Sequence, residues 1–158
     1  MIAVVTPEKI KLSPGTFVHL LGTWTGYKKL IKQRDEQANP RIKYRSGEIL
    51  LMSPLPKNGR EAHIIANIIT ILLYYLGQKY EAFTPMTIDL AEVGGIEPDY
   101  SFYIHNWQVA LGKDRIDWSR ETPPDLALEI DVTSYTDVND YLPYKIPEVW
   151  IYIKKINL

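Results

Sequence analysis

GGIEPDYSFYI, residues 94–104, sets two acids around a proline, Glu97-Pro98-Asp99, just before a strand-like aromatic run. A second phrase, PPDLALEIDV at 123–132, repeats the pattern: Pro124-Asp125 leads into an apolar run carrying Glu129 and Asp131. Side chains alternate along a strand, so Leu126, Leu128, Ile130 and Val132 form a core face. Asp125, Ala127, Glu129, Asp131 and Thr133 share the other. At roughly 3.3 Å per residue, Glu129 and Asp131 stand about 6.6 Å apart and Asp125 about 13 Å from Glu129. Asp125 is therefore the outsider, a strand-entrance residue. If the two runs are adjacent strands, Asp99 comes within about 4.8 Å of the second strand. Carboxylates so placed suit a hard cation such as Mg²⁺, which polarises a phosphoryl oxygen and acidifies a bound water. The competing reading is a solvated acid face.

Working outward, AFTPMTIDL at 82–90 precedes AEVGG and predicts an antiparallel hairpin with 96–104. NPRIKYRSGEILLMSP predicts two short strands about Ser46-Gly47, and PLPKNGR a loop. Residues 61–76 predict a helix with a broad core stripe of Ile64, Ile65, Ile68, Ile69, Leu72, Leu73 and Leu76, stopped by Gly77. Three-to-four spacing of Leu20, Leu21, Trp24, Tyr27, Leu30 and Ile31 predicts another helix over 16–37. HNWQVALGKDRIDWSRETPP is a polar excursion, 138–144 a short helix against Pro143, and PEVWIYIKKI a closing strand. Tyr100, Phe102, Ile104 and Trp150 are expected in the core. The fold class is α/β (α+β): a mixed central sheet flanked by helices, with an N-terminal helix and a β-hairpin.

The chain has 158 residues, 46% of them hydrophobic and 23% charged, which suits one folded domain over 16–158 behind a loose leader at 1–15. No cysteine is present, which excludes disulfides and Cys-ligated zinc. No apolar run is long enough for a membrane span, and no signal peptide is evident, so the expected location is the cytoplasm. The net charge of −1 supplies no global field for nucleic acid. A basic cluster, Lys28, Lys29, Lys32 and Arg34 with Arg41, Lys43 and Arg45, reads either as phosphate contacts or as a solvated face.

YRSGEILLMSP, EAHIIANII, GIEPDYSFYI, PPDLALEIDVTS and PEVWIY occur in an order and spacing that resemble the Uma2 family. This family, once called DUF820, groups restriction endonuclease-like proteins abundant in cyanobacteria, within the PD-(D/E)xK nuclease superfamily. The resemblance runs from about Val18 to Tyr152. It implies a restriction-endonuclease-like core, DNA as substrate, Mg²⁺ or Mn²⁺ as cofactor and a homodimer that cuts both strands. Asp99 falls on the Asp of the Pro-Asp motif and Glu129 on the second acid. The superfamily's lysine position holds Asp131, and alternative basic positions of relatives hold Tyr135 and Asp137.

That departure leaves three readings: Asp131 as a third metal ligand, a distant lysine such as Lys57 or Lys145 reaching in, or catalysis lost. The resemblance also implies that Glu61 and His63 stand beside the metal. The competing readings are a helix N-terminal acid for Glu61 and a hydrogen-bonded core-edge histidine for His63. Glu48 and Glu97 read as surface or turn acids, Glu97 also as one that shapes the site's potential. The leading function is a Mg²⁺-dependent DNA endonuclease. The alternatives are a degenerate nuclease-fold module that binds nucleic acid or a protein partner, and a metal-dependent hydrolase of another substrate. Relatives continue past the position of Leu158, so the C-terminal end is expected to be incomplete.

Overall fold

The computed structural model describes residues 11–35, 37, 39–131 and 136–153, with the side chain of Asp131 excepted. Its elements are β1 (Phe17–Leu21), α1 (Trp24–Arg34), β2 (Arg41–Arg45), β3 (Glu48–Met52), α2 (Pro56–Tyr75), β4 (Glu81–Phe83), β5 (Ile88–Leu90), β6 (Gly94–Ile96), β7 (Tyr100–Tyr103), α3 (Trp107–Ala110), β8 (Leu126–Asp131), a 3-10 helix (Val138–Tyr144) and β9 (Glu148–Ile153). They build an antiparallel five-stranded sheet, β1-β3-β2-β6-β5, and a mixed four-stranded sheet, β4-β7-β8-β9, in which only β8 and β9 run parallel. The mixed sheet, the N-terminal helix and the β2–β3 hairpin meet expectation. That hairpin closes at Ser46 and Gly47, both with positive φ, as a two-residue loop of twisted strands requires.

The hairpin expected from the two proline-bearing runs also forms, but it serves both sheets. Its distal half, β5–β6, lies in the five-stranded sheet, and its proximal half, β4–β7, in the four-stranded one. Pro85 and Pro98 sit at the crossings. Neither has an N–H to donate, so a continuous ladder fails there and the ribbon bends.

Several expectations are corrected. Phe17–Leu21 is a strand paired residue for residue with β3, not the start of a helix. Gly22 passes so close to Ile49 that an added Cβ would lie 2.4 Å from its Cδ1, which fixes the turn. Thr23 then caps α1, its hydroxyl accepting from the Gly26 N–H at 3.2 Å. Residues 11–15 are tied down: Gly15 N donates to Ser53 O at 2.7 Å, and Leu12 packs on the α1 core. Residues 1–10 and 154–158 lie outside the described residues. PLPKNGR is no loop beyond Leu55, because Pro56 starts α2 at a position where its missing N–H costs nothing. Trp107–Ala110 forms a short helix inside the polar excursion. Trp150 is half-exposed rather than core.

α2 also departs from one broad core stripe. Ala62, Ala66, Ile69 and Leu73 are buried, the last three packing with Phe102 and Leu126. Ile64, Ile68, Ile71 and Tyr75 form a second apolar row that is exposed. Tyr27 of α1 is fully buried with Ile42, Tyr44, Ile49 and Leu51. Side chains of this size contribute about 1.5–3 kcal/mol each on burial. A third cluster joins the sheets, with Ile88 and Ile96 from one, Ala127 from the other, and Tyr141, Tyr144 and Ile146.

Candidate active site

The Glu97-Pro98-Asp99 bend answers why two acids flank the proline. Glu97 faces back to the first sheet, where its Oε2 accepts from the Ile42 backbone N–H at 2.9 Å. Asp99 faces forward to the second, where its Oδ2 accepts from the Ile130 N–H at 2.7 Å. Each carboxylate replaces a ladder acceptor that the bend removes. Glu97 is buried, not a surface acid. Arg34 Nη1 lies 2.6 Å from its Oε1, and Thr87 Oγ1 donates to the same oxygen at 2.5 Å. Arg34 closes α1, so this pair also anchors that helix.

Asp99 and Glu129 converge as the strand argument requires, each only 2% exposed. They do so with basic partners that sequence reasoning missed. Arg41, Lys43 and Arg45 alternate along β2, while Ile42 and Tyr44 on its other face fill the α1 core. Arg41 Nη2 lies 2.5 Å from Asp99 Oδ1, and its Nη1 lies 4.0 Å from Glu129 Oε2. Lys43 Nζ and Tyr141 Oη each donate to Glu129 Oε1 at 2.5 Å. Arg45 pairs with Asp140. The signal was present as three cations at alternate positions of a strand whose other residues are apolar.

Two carboxylates and two cations thus form a closed, nearly dry group. Burial pushes the Glu129 carboxyl above its ordinary value; Lys43 and Arg41 pull it down, and Asp99 pushes it up. Burial disfavours the Arg41 charge, but Asp99 and Glu129 more than offset this and hold its pKa above the ordinary value. Burial also raises the Tyr141 hydroxyl far above its usual range, with the Glu129 charge adding, so it remains a donor.

As donors, two carboxylates on adjacent strands fit Mg²⁺, a hard cation that takes one or two such ligands and keeps waters. The position between them favours positive charge and is held by Arg41, so an ion needs that guanidinium to turn away. Among the described residues no cluster of three or more acids or histidines suits a metal. The side chain of Asp131, the expected third ligand, lies outside them.

The other predicted residues fall elsewhere. His63, exposed on α2, sets Nδ1 3.2 Å from Tyr100 Oη and Nε2 3.0 Å from Asn67 Nδ2. Tyr100 is paired with Leu128, so it shares that residue's face, opposite Glu129. Glu61 is half-buried on the same helix. Asp125 is the strand-entrance residue: its Oδ2 accepts from the N–H groups of Ile104, His105 and Asn106 at 2.6, 3.0 and 3.4 Å. Lys57 lies in the first turn of α2, and Lys145 ends the 3-10 helix in a left-handed conformation. Asp137 caps that helix by accepting from Asn139 N at 2.9 Å, and Tyr135 lies outside the described residues. Glu48 is a surface acid beside His19, at 3.3 Å.

Comparison with known proteins agrees with this architecture. Residues 24–155 match the model of the Uma2 family, described as "Putative restriction endonuclease". A solved structure from Anabaena variabilis, "a putative nuclease belonging to DUF820", superposes with a TM-score of 0.55 at 18% identity, covering 83% of this chain and 73% of that one. At that identity the likeness concerns the fold. No curated protein matches the chain. Among the described residues no helix is long and apolar enough to cross a membrane.

Proposed function

The chain belongs to the Uma2 family, and from that premise we propose that it is a Mg²⁺- or Mn²⁺-dependent endonuclease hydrolysing DNA phosphodiester bonds. The observation that carries this reading is two buried acids, Asp99 and Glu129, bridged by Arg41, with the partly buried Lys43 on Glu129. The lysine comes from β2 instead of the position two residues after Glu129. Asp99 and Glu129 would hold the ion, with Asp131 as the expected third ligand. When bound, Mg²⁺ supplies charge neutralisation at the phosphoryl oxygen and a more acidic water.

The chain's own residues do the rest. Asp99 is fixed by the Ile130 N–H, and Glu129 by Tyr141. Lys43 would donate to phosphate oxygen as negative charge develops there, a role worth several kcal/mol where the donor is held in place. His63, bonded to Tyr100 on the far face of the sheet, stands outside this group. The exposed row on α2 is the surface we assign to a homodimer. Its spacing, Ile64, Ile68, Ile71 and Tyr75, is that of a helix–helix seam.

One observation favours a second reading, a module that binds nucleic acid or a protein partner without cleaving. Arg41 and Lys43 already neutralise both acids, so the group is complete without an ion. The deciding experiment is thermal unfolding with and without millimolar Mg²⁺ or Mn²⁺, on the native protein, Glu129→Gln and Asp99→Asn, followed by plasmid cleavage. A cation-dependent rise confined to the native protein, with nicking lost in both variants, supports the enzyme. No cation effect and no nicking gives the lead to the binding module.

A further inference from the structure

A cavity of about 540 Å³ lies on the five-stranded sheet beneath the 3-10 helix. Its size is in the range that takes a small ligand. Lys43 lines it and also bonds Glu129, so this one side chain links the cavity to the acid group. Arg45 and His19 lie on the same wall, both about half-exposed.

The hydrogen-bond inventory of that wall is one-sided. A lysine carries three donors and an arginine five, and neither accepts. Lys43 spends one on Glu129, and Arg45 reaches Asp140 through Nη1. The acids on this wall already have partners. Asp140 Oδ1 takes Arg45 and its Oδ2 takes the Asp137 N–H, while Glu48 faces His19. Lys43 and Arg45 together carry more donors than these contacts use, and a ligand rich in acceptors matches them. The remaining wall is mixed, with Leu50, Val93 and Pro143 beside Ser46, Asn139 and Tyr144.

We propose that this cavity seats one nucleotide of a single DNA strand, with its phosphate against Lys43 and Arg45 and its base over Leu50 and Val93. The proposal rests on the nuclease reading only in drawing the nucleotide from DNA. Binding itself needs neither metal nor cleavage. A phosphate held by Lys43 would stand next to Glu129, so the cavity would also set the direction from which a strand reaches the acids.

The test is fluorescence anisotropy of a short fluorescein-labelled oligothymidylate in EDTA, with unlabelled thymidine 5′-monophosphate, thymidine and inorganic phosphate as competitors. Arg45→Ala should weaken binding about tenfold, as loss of a charge-assisted contact does. Val93→Trp, which fills the cavity from an exposed position, should abolish it. Lys113→Ala, an exposed lysine outside the cavity, should leave it unchanged. Thymidine monophosphate should compete better than thymidine, and better than phosphate alone. Equal losses in Arg45→Ala and Lys113→Ala, or full binding by a folded Val93→Trp, would overturn the site. Binding with this pattern in a protein that never nicks plasmid would retire the nuclease reading and keep the cavity. Nicking without it would do the reverse.

Discussion

Lys43 and Glu129 lie 86 residues apart in sequence, on strands of different sheets, and meet with Nζ 2.5 Å from Oε1. That contact makes the candidate active site part of what joins the sheets.

Breaking it from either side should therefore cost stability. Glu129→Gln leaves the buried Arg41 and the partly buried Lys43 without their shared anion and should lower unfolding free energy by about 3 kcal/mol or more. Lys43→Met should cost less, because Arg41 and Tyr141 still face Glu129. The double variant should lose clearly less than the sum of the singles, a coupling of about 2 kcal/mol. Urea unfolding of the four proteins measures it, and strict additivity would show the contact to be energetically idle.

Arg41 occupies the position a metal would take, so removing it should help a cation. In Arg41→Met, Mg²⁺ should raise the melting temperature by more than it does in the native protein, because Asp99 then lacks a counter-ion while Glu129 keeps only Lys43. The same small response in both would separate the acids from metal binding.

Gly95 is irreplaceable for a different reason. A Cβ there would lie 2.0 Å from Tyr27 Oη and 2.3 Å from its Cζ, inside a fully buried ring. Gly95→Ala should destabilise by about 2–3 kcal/mol. Tyr27→Leu in the same chain should recover part of that loss, visible as a partial return of the denaturation midpoint.

Alkaline pH should expose the buried tyrosines. Burial raises the hydroxyls of Tyr27, Tyr103 and Tyr144 above their ordinary value of 10.0. A raised folded-state pKa means the folded protein keeps protons that the unfolded chain releases. The contribution to stability is whole below about pH 10 and fades as pH climbs toward the folded values. Absorbance at 295 nm should rise in two stages, the later one coinciding with loss of circular dichroism. A single early stage with the fold intact would contradict this.

The exposed row on α2 should govern assembly. Ile68, 53% exposed, can take a charge without disturbing the buried row. Ile68→Lys should leave the melting curve of the fold near native and convert a dimer to a monomer by light scattering. A native protein that is already monomeric would remove this surface from the proposal.

The sequence carried the strands of the core and the convergence of its two acids, because alternation and the Pro-Asp pattern are local signals. It hid the cations. Arg41 and Lys43 were visible as charges, yet their partners are set by the packing of two sheets, which no window of residues encodes. Phe17–Leu21 misled for the related reason that three-to-four spacing of Leu20, Leu21 and Trp24 imitates a helix, while pairing with β3 decides the matter. The second apolar row of α2 blended with the first, since a single helix cannot say how many neighbours it has.

The bent ribbon from β4 to β7 leaves the molecule no seam at which to divide. Both arms cross from one sheet to the other, at Pro85 and Pro98, so any fragment ending between them carries strands of each sheet without their partners. β2 would lose β6, and β7 would lose β4. The exposed edges would then be open to pairing with other chains. Expression of either sheet alone should give aggregate, while circular permutation at the Ser46-Gly47 turn, away from the ribbon, should be tolerated.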